Sequence, residues 1–277
     1  MDATAQLNEQ VWKGLRNGTL DSAKLGEYIR AGFDVNAALN RWGLTALHIA
    51  AHWGRLPCIE ALVAAGANVN ATATGDSGQV PLHSAAGRHV DCIVALLAAG
   101  ADPNATTRSR RTPLHDEAAR GSVRGVSILL AAGANTEVWA TRDSFDSSGT
   151  PLTSAAMSGN PNALPTLLRG GAKNCIMQIE RDLEEELDDS GDAPGSNAVR
   201  RFAEDLRRAR RAALLYLRRV AEAGGYLRYE RRRRAAVMAM AVRSSKLPAA
   251  LEIWVQHVAD SFQDPLEERE LFMPGPY

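Results

Sequence analysis

The sequence predicts an all-α fold: a solenoid of stacked helix–turn–helix repeats with hairpin-like loops, followed by a small C-terminal helical region. Three observations predict it. A glycine-centred phrase recurs as Ala31-Gly32-Phe33-Asp34, Ala65-Gly66-Ala67-Asn68, Ala99-Gly100-Ala101-Asp102, Ala132-Gly133-Ala134-Asn135 and Gly170-Gly171-Ala172-Lys173, with the key glycines 34, 34, 33 and 38 residues apart. A fixed period of this length is the mark of a repeat architecture. A second phrase recurs in register between the first: Thr45-Ala46-Leu47-His48, Val80-Pro81-Leu82-His83, Thr112-Pro113-Leu114-His115 and Thr150-Pro151-Leu152-Thr153. Finally, hydrophobic residues make up 45% of the 277-residue chain but aromatics only 5%, with alanine and leucine dominant, which favours helices over sheets.

Each element follows in order. The first unit begins near residue 8 and carries Val11 and Trp12 where the Leu-His pair would stand. It reads as the cap that one end of a stack needs. Later units open on a Thr-Pro turn, where proline fits the first helical turn. A short alanine-rich helix follows, small enough for close stacking. Gly54, Gly121 and Gly159 then reverse the chain, and the second full unit is one residue shorter there, with Gly87 and His89 near its turn. The second helices carry Ile59/Leu62/Val63, Ile93/Leu96/Leu97, Ile128/Leu129/Leu130 and Leu164/Leu167/Leu168. Each stops at the recurring glycine, a natural left-handed cap. Neither helix of a unit can bury its apolar stripe alone, so neighbours must stack. Glu117 replaces a small alanine in the third unit and is expected to loosen packing there. Pro161 and Pro165 flank the last second helix, and the loops at 72–78 and 139–148 are long and polar.

These phrases resemble the ankyrin repeat family, whose Thr-Pro-Leu-His-x-Ala phrase recurs with a period of about 33 residues. The resemblance covers residues 8–173, about five repeats with the first as a cap. It implies a stack that binds a partner protein on a concave surface of loop tips ("fingers") and first-helix faces. It also implies that His48, His83 and His115 brace adjacent turns. Asn36, Asn70 and Asn104 follow the second helices and are expected to hydrogen-bond the turn backbone.

The charges divide the chain. Overall, 32 Lys+Arg balance 32 Asp+Glu. Residues 1–173 are nearly neutral, 174–199 carry one Arg against eight acids, 200–246 carry 15 basic against four acidic side chains, and 247–277 carry one Arg against six acids. Residues 174–199 therefore read as an acidic segment and linker, and 200–277 as a helical region that is first basic and then amphipathic. There, Val199, Phe202, Leu206, Ala209, Ala213, Leu217 and Val220 follow helical spacing up to Gly224-Gly225. A second helix is predicted from Tyr226 to about Ser244, and a third from Pro248 to Pro265. Arg207, Arg208, Arg210, Arg211, Arg218, Arg219 and the run 231–234 form either a solvated face or a functional basic surface; few aromatics interleave with them, which argues against nucleic acid.

Leu247-Pro248-Ala249-Ala250-Leu251 with Trp254, Val255 and Val258 resembles the opening of an F-box-type or SOCS-box-type helix. That resemblance implies docking of a ubiquitin-ligase adaptor through Leu247, Pro248, Leu251, Trp254, Val255 and Val258. The glutamate usual before the F-box leucine is replaced by Ala250, and a proline-started amphipathic helix packed on its neighbours matches the same residues.

No Walker-type loop, Gly-x-Gly-x-x-Gly phrase or Gly-x-Ser-x-Gly elbow occurs, so no nucleotide cofactor or serine nucleophile is indicated. His48 and His52 are spaced as metal ligands can be, but Ile49 stands where a zincin needs glutamate. Cys58, Cys92 and Cys175 are odd in number and scattered, which fits a reducing compartment. No apolar run is long enough for a spanning helix, and the N-terminus lacks the pattern of a secretory signal. The expectation is a cytoplasmic or nuclear, monomeric, non-catalytic protein–protein interaction scaffold without cofactor or metal. The alternative is the substrate-recognition subunit of a ubiquitin ligase. Unusual side chains on the open surface are the binding candidates: Arg41, Trp42, His52, Trp53, Arg88, Arg108, Arg110, Arg111, Asp116, Arg120, Trp139, Arg142 and Met157. Exposed Trp and Arg are enriched at interface hot spots.

Overall fold

The computed structural model describes residues 3–75, 77–141, 149–173, 197–226 and 228–229. These fall in two compact units, Met1–Tyr216 and Leu217–Tyr277. In the first unit, α1 (Ala3–Asn17) and α2 (Ser22–Arg30) form the opening repeat. Then come α3 (Ala46–His52) with α4 (Leu56–Ala64), α5 (Pro81–Ala85) with α6 (Val90–Ala98), and α7 (Pro113–Ala119) with α8 (Val123–Ala131). The last pair is α9 (Pro151–Met157) and α10 (Leu164–Arg169), the latter preceded by a 3-10 turn at Pro161–Ala163. A long helix, α11 (Asn197–Glu222), follows. Residues 230–277, including the second and third predicted C-terminal helices beyond Tyr229, lie outside the described residues.

First helices pack on first helices, α3 on α5 and α7 on α9, and second helices on second helices, α4 on α6 and α6 on α8. The core is therefore a string of equivalent positions. Leu47, Leu82, Leu114 and Leu152 are fully buried in the first helices, and Ile59/Leu62, Ile93/Leu96 and Leu164/Leu167 in the second. Burying each such side chain stabilises the stack by about 2 kcal/mol. In α8 the buried pair is Val126 and Leu129, whereas Ile128 is only half-buried. Three consecutive apolar residues hide which of them faces inward, and the register is fixed instead by Gly125, which stands where Cys58, Cys92 and Ala163 are buried.

The second helices end as a left-handed cap requires. Gly66, Gly100 and Gly133 have φ of 86°, 89° and 87°. At Gly66 the glycine N–H donates to Val63 O (3.0 Å) and the Ala67 N–H to Leu62 O (2.9 Å), satisfying carbonyls that the helix end leaves open.

In the first unit Val11 and Leu15 are both buried in α1, while Lys13 pairs with Glu9 on the exposed side (2.7 Å).

Glu117 is a departure. It is fully buried in α7, at the position held by Ala50, Ala85 and Ala155 elsewhere. Its Oε1 accepts the N–H of Gly87 from the preceding repeat, and its Oε2 has no hydrogen-bond partner. Room for it exists because residue 125 is glycine: a Cβ there would lie 1.7 Å from Oε2. The expected loosening is thus met by a missing side chain eight residues on.

Candidate protein-binding surface

The surface is held in place by two sets of hydrogen bonds that repeat from unit to unit. The first runs through the histidines. In α3 the Thr45 N–H donates to His48 Nδ1 (3.2 Å), so Nε2 carries the hydrogen and donates to Gln79 O in the next finger (3.0 Å). His83 does the same between the Val80 N–H (3.4 Å) and Arg111 O (3.0 Å). His115 links the Thr112 N–H (3.1 Å) to Gly149 O (3.1 Å). Each imidazole thus ties its own helix start to the following finger, as the resemblance implied. Burial is the main cause that lowers all three from the ordinary histidine value, with His115 brought down to about 4. The neutral tautomer fits the bonding, since Nδ1 must accept.

The second set is an asparagine ladder. Asn36 Nδ2 donates to Gly66 O (3.3 Å) while its Oδ1 accepts the Asn68 N–H (2.7 Å). Asn70 repeats this with Gly100 O (3.2 Å) and the Asp102 N–H (2.9 Å), and Asn104 with Gly133 O (3.1 Å) and the Asn135 N–H (2.7 Å). At the end of the ladder Glu137 keeps only the acceptor half, taking the Lys173 N–H at 2.9 Å.

With helices and turns so fixed, the fingers line up edge to edge. The Gly75 N–H donates to Trp42 O (2.8 Å), the Arg108 N–H to Ser77 O (3.0 Å) and the Thr141 N–H to Ser109 O (2.8 Å). On this row Trp42 is 50% exposed, with the Arg41 guanidinium 4.6 Å from its ring centroid. Trp139 is 39% exposed. Arg108 is exposed, its stem against Gly78, and Arg110 is exposed at φ 60°, the one described non-glycine residue in the left-handed region.

A second row lies at the other ends of the first helices. His52 and Trp53 are exposed, their rings edge-on at 5.2 Å. Burial and then the neighbouring charges of Arg88 and His89 lower the His52 value, so the turn of the next repeat is close by. Arg88 and Arg120 are exposed, and Arg120 lies across Gly87 of the preceding repeat. His89 belongs to this row as well, against Gly54, and was not among the sequence candidates; its place two residues after the turn glycine Gly87 was the available signal.

Two candidates are not free surface. Arg111 is buried and binds Asp116 Oδ1 through Nη2 (2.9 Å) and Nε (3.3 Å), which leaves Asp116 half-exposed and neutralised. Met157, expected on the open face, is buried, and its carbonyl accepts from the Arg210 guanidinium on α11. The equivalent carbonyl of α7 is covered in the same way, Asn160 Nδ2 donating to Ala119 O (2.6 Å), and near the end of α1 Arg55 Nε donates to Leu15 O (3.2 Å). Arg142 and the segment from Leu247 to Val258 lie outside the described residues.

Cys58 and Cys92 are buried, and burial raises both thiols, that of Cys92 to about 11, as for core cysteines. Among the described residues no group of His, Cys, Asp and Glu could hold a metal ion, and no helix is long and apolar enough to cross a membrane.

Comparison with known proteins agrees with this geometry. A family model described as ankyrin repeats (3 copies) matches residues 16–107 and 88–178. The chain is also 40% identical over 111 residues to the nuclear factor NF-kappa-B p105 subunit of Mus musculus, an alignment that covers 35% of this chain and 10% of that protein. The chain thus spans about a tenth of the length of that relative.

Proposed function

We propose, since the chain belongs to the ankyrin-repeat family, that its repeats are a non-catalytic docking scaffold for a partner protein. Contact is made through the finger row and the first-helix turns, and the second-helix side faces away. Ankyrin repeats are a protein-interaction module, and the face chosen is the one that the family resemblance implies. The observation that carries it is the distribution of exposed tryptophan. Trp42, Trp53 and Trp139 are all exposed and all lie in fingers or at first-helix ends, where none supports the core. Exposed indoles flanked by guanidinium groups are the composition of interface hot spots. Among the described residues, the large apolar side chains exposed on the second-helix side are the isolated valines Val94 and Val123.

The hydrogen bond from Arg210, midway along α11, to Met157 supports reading that helix as a cap that takes the place of a further repeat. The reading as a ligase receptor would place its adaptor contact at Leu247–Val258, beyond the described residues. Placement of a photo-crosslinker tests the choice of face. A benzophenone residue at position 42, 53 or 139 of the full chain should yield a protein adduct in cells, and one at Glu60 or Asp91 should not. Adducts from the second set alone would overturn the assignment.

A further inference from the structure

The finger and first-helix side differs in charge from the opposite side of the same repeats. Among the described residues of the fingers, first helices and turns from Asn40 to Ser122, the acids are Asp116, bound by Arg111, and Glu117, fully buried. Neither offers a free negative charge. The same side presents Arg41, Arg88, Arg110 and Arg120, all exposed. The second-helix side carries Glu60, Asp91, Asp102 and Glu137, all exposed, against Arg124, which reaches Asp91 at 3.5 Å. The array is polarised across its width, and a partner that docks on the arginine side meets positive potential.

The guanidinium groups form two lines, not one. Arg41 and Arg110 belong to the fingers, whereas Arg88 and Arg120 belong to the turns. A seven-residue first helix such as α3 or α7 separates them, which amounts to about 10 Å at the rise of an α-helix. The floor between the lines is low: the outward positions of the first helices are Ile49, Ser84 and Ser154, all nearly buried, with Asp116 already paired. Trp42 stands in the finger line and Trp53 in the turn line. A protein segment with a width of about 10 Å, a helix or a single strand, fits between them. A duplex nucleic acid is too wide for such a channel, and a single strand presents one phosphate edge, which would engage only one line.

We infer that the partner docks through an acidic segment laid along the first helices, with carboxylates on both of its edges received by Arg41 and Arg110 on the finger side and by Arg88 and Arg120 on the turn side. This inference rests on the proposed docking face and adds the chemistry of what fills it. The guanidinium fork takes a carboxylate through two parallel hydrogen bonds, so the two lines fix orientation as well as charge. Apolar residues of the segment rest on Trp42 and Trp53.

The test uses the full chain and a library of random dodecapeptides displayed on phage. Selected peptides are synthesised, labelled and titrated by fluorescence polarisation, with a labelled oligothymidylate as the competing class. The inference expects selected peptides enriched in Asp and Glu. Their affinity should fall tenfold or more when Arg110→Glu and Arg120→Glu are combined, fall again as salt is raised, and stay unchanged in Glu60→Lys. Unfolding temperature of each variant separates lost binding from lost fold. Peptides with no acidic enrichment, weakened by Trp42→Ala but not by the arginine reversals, would overturn the acidic segment and leave the docking face standing. Peptides indifferent to every finger and turn variant would overturn the docking face itself. Oligothymidylate that binds more tightly than every peptide and is lost with the same arginines would assign the channel to nucleic acid instead.

Discussion

Glu117 and Gly125 fit together as one unit. The carboxyl of the first fills the space where a side chain on the second would stand, with Oε2 placed 1.7 Å from the Cβ that residue 125 lacks. The buried oxygen has no partner, and the other is satisfied by the Gly87 N–H across the repeat boundary. A buried polar atom without a partner costs about 1–3 kcal/mol, and the boundary between the second and third full repeats bears it.

This pairing predicts strong non-additivity. Gly125→Ala alone overpacks the site and should lower stability by about 2 kcal/mol. Glu117→Ala combined with Gly125→Ala places alanine at both positions, as Ala155 and Ala163 stand in the last repeat. The double variant should be at least as stable as the parent, with a coupling of about 2 kcal/mol between the substitutions. Urea denaturation of the four proteins measures it, and additive effects would contradict the account.

The histidine braces predict a pH dependence with a definite sign. An unfolded histidine takes its proton near the ordinary 6.5, but His115 in the fold takes it only at about 4. Above pH 6.5 both states are neutral and the group contributes no pH dependence. Between 6.5 and about 4 the unfolded state binds the proton and the folded state does not, so stability is lost as pH falls. Linkage gives a loss of about 2 kcal/mol from His115 alone between pH 7 and pH 5. His48 and His83 are lowered too and add to it in the same direction. His115→Thr, which copies Thr153 at the equivalent position, should flatten the slope in thermal melts at pH 5, 6 and 7. An unchanged slope would show that His115 does not couple proton binding to folding.

The asparagine ladder predicts graded losses. Asn70→Ala removes both bonds to the next repeat, those to Gly100 O and the Asp102 N–H, and should cost about 1–2 kcal/mol at this exposed site. Asn70→Asp keeps the acceptor and loses only the donor, the arrangement Glu137 already has, and should cost less. Hydrogen exchange at the Asp102 amide reports the acceptor half: faster in Asn70→Ala and little altered in Asn70→Asp.

Much of this was legible in the sequence, because a repeat states its own register. The glycine spacing placed every turn, and the His-to-finger bonds and asparagine ladder followed from single positions recurring in several copies. What escaped had long-range or singular causes. Met157 is equivalent to exposed His52 by repeat position, and nothing local shows that a guanidinium 53 residues on reaches its carbonyl. Arg111 looked like a finger arginine because its partner Asp116 lies one helical turn inside the next element. Glu117 looked disruptive on its own; only read together with the glycine at 125, where other repeats have Cys58, Cys92 and Ala163, does the substitution explain itself.

The link from α11 to the last repeat predicts a local effect. Arg210→Ala frees the Met157 carbonyl and should speed amide exchange in α9 while leaving α3 and α5 unchanged. Exchange spread evenly over all first helices would contradict a role as end cap.

The central claim is that the finger and first-helix side does the binding. The most direct measurement takes the partner identified by photo-crosslinking and titrates it against the full chain, Trp42→Ala, Trp53→Ala and the opposite-side variant Asp91→Lys. The account predicts that each tryptophan variant weakens affinity by about tenfold or more, some 1.4 kcal/mol, at unchanged unfolding temperature, and that Asp91→Lys leaves affinity intact. Parent-like affinity in both tryptophan variants together with loss in Asp91→Lys would contradict it and move the docking face to the second helices.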